Sequence, residues 1–307
     1  MVAAPRIAVG PGPAPFAREA IQRGGGQPVT AGEPAEGLVW LDGQDAAGLR
    51  AVLAAVPDIR WVQLPSAGVE SLAGRDLLSD GRLWTCAKGA YAEAVAEHAL
   101  TLALAGLRQI PGRVRADRWG PQGGASRYDQ PVTILGGGGI TRALAVLLTP
   151  FRVRITVVRR QARPVPGAEQ VVTTAALRDV LPGALVVFVA LALTPQPTGI
   201  IGAPELARMD PGAWLVNVAR GRHVDTGALT AALERGQIGG AALDVTDPEP
   251  LPPGHPLWHL PNCIITPHTA NPEQMLTPRL AGLIAANVAR FAAGKPLDGR
   301  IDPATGY

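Results

Sequence analysis

The sequence predicts an α/β protein: two Rossmann-like domains, each a doubly wound parallel sheet, joined by long bridging helices. Three observations carry that prediction. Short apolar runs alternate with helical patterns along most of the chain, as parallel sheets with crossover helices require. Residues 132–149, VTILGGGGITRALAVLLT, set a buried strand, a glycine turn and a helix start in direct succession. The chain has 307 residues, more than one hydrophobic core comfortably serves, so two domains are expected.

In chain order, Arg6–Val9, Gly37–Leu41, Arg60–Leu64 and Leu83–Ala87 read as parallel strands of a small α/β domain. After the third comes Pro65-Ser66-Ala67-Gly68-Val69-Glu70, a turn at the carboxyl end of a strand. Ligands collect at that edge of open α/β sheets, and successive free N–H groups there can hold a carboxylate. The same six residues make an ordinary β–α turn equally well. From Tyr91 a long helical pattern runs to Pro111, with Val95, Ala99, Leu102, Leu104 and Leu107 near one stripe. His98 inside it reads as a packing or capping residue. A polar segment, 113–130, then leads to the glycine stretch. These shifts place a substrate domain at residues 1–99 with 273–307 and a cofactor domain at 100–272.

In the glycine stretch, Gly136 and Gly138 permit a tight turn and close approach of the backbone to a bulky anion. The helix that follows, opening at Gly139 and Ile140, offers unpaired N–H groups and the positive end of its dipole. Together these make a dinucleotide fingerprint, with Thr141 at the third glycine position. A glycine-rich turn with no ligand is the lesser alternative, and the strand before and the helix after favour the fingerprint. The next strand, Val153–Val158, ends in Arg159 and Arg160, where an NAD site places a ribose-binding carboxylate. Guanidinium groups suit a 2′-phosphate, so NADP(H) is the expected cofactor and NAD(H) the alternative. Two solvated arginines at a strand end are the plainer alternative, but the missing carboxylate still favours NADP(H).

Further strands follow at Ala184–Leu193, Trp214–Val218, Ala241–Val245 and Cys263–Thr266, with helices from Pro204 and over Gly227–Arg235. A last helix is expected around Pro278–Ala293. Thr194 ends the first of these strands and is a candidate cofactor contact. The others run into Arg220, into Asp244 and Glu249, and into His268. Singly, each of Arg220, Glu249 and His268 passes for a surface or turn residue. Jointly they follow strands of one parallel sheet, on the edge where the glycine loop opens. There they supply an anion anchor, an orienting acid and a proton carrier.

Composition excludes other classes. The chain is 47% hydrophobic and 17% charged, which is globular. Its net charge of +3 comes from scattered arginines, and 4% aromatic content gives no nucleic-acid surface. Cys86 and Cys263 lie far apart without metal spacing, so neither a disulfide scaffold nor a metal site is expected. The N-terminus is broken by Arg6 and prolines before a signal-like core can form, and the longest apolar run, Ala184–Leu193, is about half a membrane span. A soluble cytoplasmic protein is the expectation.

GGGG, NVARGRHVD, AALDVTDPEP and ITPH, in that order, make the chain resemble the NAD(P)-dependent D-isomer-specific 2-hydroxyacid dehydrogenase family. The resemblance covers most of the chain and is strongest over residues 132–270. It implies hydride transfer between the cofactor and a small 2-keto or 2-hydroxy acid, as in glyoxylate/hydroxypyruvate reductases or phosphoglycerate dehydrogenases. It implies Arg220 as the anchor of substrate carboxylate and carbonyl, His268 as acid/base, and Glu249 as the partner of the histidine. Asp244 would lie beside the nicotinamide, and the Ala67-Gly68 turn would present N–H groups to the substrate carboxylate. A homodimer paired through cofactor domains is implied as well. Thr141 and Arg159 depart from the family pattern. A nucleotide-sensing, corepressor-like binding protein is the rival reading, and the intact Arg, Glu and His set argues against it.

Overall fold

The computed structural model describes residues 3–68, 75–191 and 199–302. The chain forms two compact units, Met1–Tyr91 with Pro272–Tyr307, and Ala92–Asn271. A boundary at residues 99 and 100 would cut a continuous helix, and the second unit instead takes that helix whole.

The first unit holds β1 (Arg6–Gly10), α1 (Pro15–Arg23), β2 (Gln27–Thr30), β3 (Gly37–Trp40), α2 (Ala46–Ala55), β4 (Trp61–Gln63), α3 (Arg75–Leu78) and β5 (Leu83–Thr85). Its sheet has the order β2-β1-β3-β4-β5, and every pairing is parallel. β2 is an addition to the sequence reading. Its Pro28 lacks an N–H, which an edge strand tolerates and a central one does not. One face of the sheet packs Leu38, Trp40, Val62 and Trp84 into a common core with Leu49 of α2.

The second unit begins with α4 (Ala92–Leu107) and α5 (Ile110–Arg115). It continues through β6 (Pro131–Leu135), α6 (Gly139–Leu148), β7 (Arg154–Arg159), β8 (Gln170–Thr173) and β9 (Val186–Val189). It ends with α7 (Ala203–Leu206), β10 (Trp214–Asn217), α8 (Thr226–Glu234), β11 (Gly240–Leu243) and β12 (Cys263–Ile265). Sheet order is β12-β11-β10-β9-β6-β7-β8, parallel throughout. The chain starts in the middle at β6, winds outward to β8, then returns to β9 and winds the other way. The strand order therefore reverses between β6 and β9, the place where such sheets bind ligands.

Alternation along the strands builds a core on each face, because successive side chains point to opposite sides. Val187 and Val189 of β9, Leu215 of β10 and Leu243 of β11 face one core. Val186 and Phe188 of β9, Val216 of β10 and Ala242 of β11 face the other, with α4 and α6. The close seat of α4 follows from its small residues: a Cβ on Gly106 would stand 2.3 Å from the Trp214 ring.

The chain returns to the first unit with α9 (Glu273–Ala292). This helix starts before the expected Pro278, which lies inside it. Phe291 on α9 stacks near Trp61 at 5.3 Å, and Asn287 donates to Gln63 across 2.9 Å. Among the described residues, no helix is long and apolar enough to cross a membrane. The α/β class with parallel sheets is as the sequence predicts.

Candidate active site

In the second unit the glycine turn, Arg159, Arg220, Asp244 with Glu249, and His268 lie at or beyond the carboxyl ends of β6, β7, β10, β11 and β12 in turn. At β6 the strand meets Gly136, whose φ of 114° disfavours a side chain and whose Cβ would stand 2.4 Å from the Ala190 carbonyl. Gly138 caps α6 in extended conformation, with Gly139 and Ile140 as its first residues. Their N–H groups have no intrahelical acceptor and point out of the turn. Thr141 is fully buried, and its hydroxyl donates to the Gly136 carbonyl over 2.9 Å. The threonine thus closes the turn from below, so this departure from the fingerprint supports the loop.

Arg159 ends β7 and lies along the glycine turn, its Cδ 3.0 Å from where a Gly137 Cβ would be. Arg160 beside it is exposed. No carboxylate pairs with either among the described residues. Thr194 lies outside the described residues.

β10 delivers Arg220 through a turn clasped by Asn217, which the sequence reading did not single out. The Asn217 side chain donates to the Arg220 carbonyl at 3.0 Å and accepts from the Ala219 N–H at 3.1 Å. Gly221 follows because nothing larger fits: its Cβ would overlap the Thr246 carbonyl at 1.8 Å. This contact seats the Arg220 turn on the segment leading from β11 to Glu249. That segment is pinned in turn by Thr226 at the start of α8, whose hydroxyl donates to the Asp247 carbonyl at 2.7 Å.

β12 delivers His268, whose Nδ1 lies 2.6 Å from Glu249 Oε1. The two side chains are 51% and 41% exposed, open enough for a substrate to reach the ring. With Nδ1–H bonded to the carboxylate, Nε2 is left to give or take a proton. The His268 backbone is left-handed, φ 50°, and its N–H is shared by the carbonyls of Asp244 and Thr266.

Asp244 is 2% exposed. Its Oδ1 accepts from the Thr266 hydroxyl at 2.6 Å and the Thr269 N–H at 2.9 Å, and its Oδ2 from the Ala270 N–H at 3.1 Å. Nε2 of His98 stands 3.3 Å from Oδ1 and 3.1 Å from the Thr266 hydroxyl. Burial would raise this carboxyl, but the bonds from His98, Thr266, Thr269 and Ala270 outweigh it and hold the group below the usual carboxylate range. His98 therefore stands in a polar cluster, where the sequence gives it a packing role. Nothing local could have revealed the contact, since its partners lie 146 and 168 positions away along the chain.

In the first unit, the turn after β4 holds Ala67 and Gly68. The Ser66 hydroxyl donates to the Gly68 carbonyl, and the Ala87 N–H to the Ser66 carbonyl at 2.9 Å. Among the described residues, neither the Ala67 nor the Gly68 N–H donates a hydrogen bond.

Comparison with known proteins bears on this arrangement. Residues 98–270 match the family model described as D-isomer specific 2-hydroxyacid dehydrogenase, NAD binding domain. An uncharacterized protein of Corynebacterium melassecola is 37% identical over 81% of this chain and 84% of its own length. The glyoxylate reductase/hydroxypyruvate reductase of Mus musculus is 33% identical over 76% of this chain and 74% of its own. A D-isomer specific 2-hydroxyacid dehydrogenase of Xanthobacter autotrophicus Py2, crystallised with NADPH and MES, superposes with a TM-score of 0.85 at 29% identity. That match covers 99% of this chain and 100% of the other.

Proposed function

The chain belongs to the D-isomer specific 2-hydroxyacid dehydrogenase family, and on that premise we propose that it reduces a short 2-keto acid with NADPH, using Arg220, Glu249 and His268. The observation that carries the reading is the 2.6 Å His268–Glu249 pair at the sheet edge where Arg220 and the glycine turn also stand. The mouse relative's glyoxylate and hydroxypyruvate activity supports a substrate of two or three carbons.

The residues at the sheet edge fit a dinucleotide. Gly136 leaves no room for a side chain, and α6 aims its first N–H groups out of the turn, an arrangement that suits a pyrophosphate. Gly136, Gly138, Gly139 and Ile140 would hold that group, and Arg159 with Arg160 a 2′-phosphate. Thr194 remains a proposed contact, as does the backbone around Asp244. The cofactor supplies hydride when bound.

The protein's own residues do the rest. Arg220 offers a planar fork of donors, suited to a carboxylate and a neighbouring carbonyl at once. His268 delivers a proton from Nε2 to the carbonyl oxygen as it becomes a hydroxyl, and accepts one in the reverse direction. Glu249, on Nδ1, fixes the ring's orientation and favours its protonated form by charge. In the first unit, the Ala67 and Gly68 N–H groups are suited to a carboxylate. The first unit is accordingly read as the substrate-binding domain and the second as the cofactor domain.

A homodimer through the second unit is part of the reading. On and after α5, Ile110 is 47%, Val114 78% and Trp119 99% exposed, an apolar surface that a second copy would cover. Cys86 and Cys263 are both buried, in keeping with a cytoplasmic protein.

The test is a panel of 2-keto acids, glyoxylate and hydroxypyruvate first, with NADPH and NADH, followed at the nicotinamide absorbance band. Consumption of NADPH with at least one short 2-keto acid is expected. If no member of the panel oxidises either cofactor, the reading fails.

A further inference from the structure

His98 is a polar side chain of the Asp244 cluster that the hydride-transfer reading leaves unused. We propose that it is a positioning residue: its Nε2–H, carried on α4, locks the Thr266–Asp244 pair and so holds the 266–270 loop in the conformation that presents His268. The proposal rests on the reading of His268 as the acid/base group.

A count of hydrogens fixes the direction of the network. The Asp244 carboxylate only accepts. Thr266 Oγ1 lies 2.6 Å from Asp244 Oδ1, so its single hydrogen belongs to that bond. The remaining lone pairs of Oγ1 face His98 Nε2 at 3.1 Å, and this nitrogen must therefore carry a hydrogen. Asp244 Oδ1 lies 3.3 Å from the same nitrogen and shares it. The order is ring to hydroxyl to carboxylate. A ring bare at Nε2 would set lone pair against lone pair in a site with little water to intervene.

The loop needs such a lock. His268 has a side chain yet sits at φ 50°, a region that a Cβ disfavours. Bonds on both sides keep it there. Thr266 precedes it and Thr269 and Ala270 follow it, and all three donate to one carboxylate. Its own N–H donates to the Asp244 carbonyl at 2.8 Å. Those side-chain and amide donors all belong to the loop itself. His98 is the donor from outside it, on a 16-residue helix seated against β10, β11, β12 and α6. Without His98 the Thr266 hydroxyl loses the donor it accepts from, and the buried carboxylate loses its neighbour on the α4 side. Water cannot replace them at a carboxylate that is 2% exposed. The pair relieves the loss by turning, which loosens Thr269 and Ala270 and lets His268 leave the left-handed region.

The experiment compares the wild type with His98→Leu, which removes the donor at similar volume, and His98→Gln, whose amide N–H reaches the place of Nε2. Two readouts are taken: amide hydrogen exchange over residues 266–271, and kcat and KM with NADPH and glyoxylate or hydroxypyruvate. In His98→Leu, exchange at Thr269 and Ala270 should rise about threefold to tenfold, the factor one hydrogen bond supplies. Its kcat should fall about tenfold while the KM for NADPH stays within about twofold. His98→Gln should recover both to within about threefold. Unchanged exchange and kcat in His98→Leu would overturn the proposal. Equal losses in Leu and Gln would overturn it too, because helix packing rather than the donor would be responsible. Should the wild type reduce no 2-keto acid, the reading of His268 falls, and exchange alone still decides whether His98 holds the loop.

Discussion

Replacing Arg159 by Asp should invert the cofactor preference. Arg159 ends β7, and its stem lies on the glycine turn, with Cδ 3.0 Å from the position of a Gly137 Cβ. It is half-buried, it lacks a carboxylate partner among the described residues, and Arg160 next to it is exposed. A hydrogen bond to a charged group contributes about 1.5–3 kcal/mol. Counting Arg159 in full and Arg160 as a rim contact leaves about 1.5–3.5 kcal/mol in favour of a 2′-phosphate, a preference of about tenfold to several hundredfold. The assay is kcat/KM with NADPH and with NADH, at low and at high salt. The wild type should prefer NADPH by that factor, less so as salt rises, and Arg159→Asp should prefer NADH. An equal or better kcat/KM with NADH in the wild type would refute the reasoning, and the two arginines would be solvated charges at a strand end.

Further predictions concern the frame around the site. Gly221→Ala would drive a Cβ into the Thr246 carbonyl. The Arg220 turn must then move away, and kcat/KM should fall about a hundredfold with a loss of about 1–3 kcal/mol in stability; wild-type kinetics and Tm in this variant would contradict the seating. The Asp244 carboxyl lies below its ordinary value when folded, so its contribution to stability is complete above about pH 4 and is lost as pH falls through the lower folded value. Asp244→Asn should therefore be less stable at neutral pH and show a shallower decline of Tm below about pH 4, and parallel declines would rule out this carboxylate as a source of acid sensitivity. Arg127 is 2% exposed, its three guanidinium nitrogens have no hydrogen-bond partner among the described residues, and the group stacks on Phe188 at 5.4 Å. Burial pushes its pKa down to about 10, which leaves a buried cation at neutral pH, so Arg127→Met should raise stability by about 1–3 kcal/mol by thermal or urea denaturation; a fall would mean that the cation is compensated.

What was legible in the sequence was whatever repeats locally. The buried apolar runs of β6, β9, β10 and β11 announce a parallel sheet. The residues just past those strands become site candidates once the sheet edge is known, and Arg220, Glu249 and His268 do stand at strand ends of one sheet. Four-residue edge strands such as QVVT in β8 carry half-polar patterns and are lost among loops. Thr141 looked like a defect in the glycine pattern, because only the folded turn brings its hydroxyl to the Gly136 carbonyl. The bond between His98 and Thr266 spans 168 positions, and no periodicity records a contact of that kind. Asn217 was hidden for a related reason: its bonds to the Arg220 turn depend on a backbone course that residue types alone do not give.

The central claim, that the His268 imidazole moves the proton in a keto-acid reduction, meets its most direct test in His268→Ala. Initial rates are measured with NADPH and the best short 2-keto acid, beside NADPH affinity from fluorescence titration of the same preparation. Loss of a general acid lowers turnover by about a hundredfold to ten-thousandfold. The account predicts a fall in that range with NADPH affinity within about twofold of wild type. Near-normal turnover in a folded His268→Ala protein would contradict it.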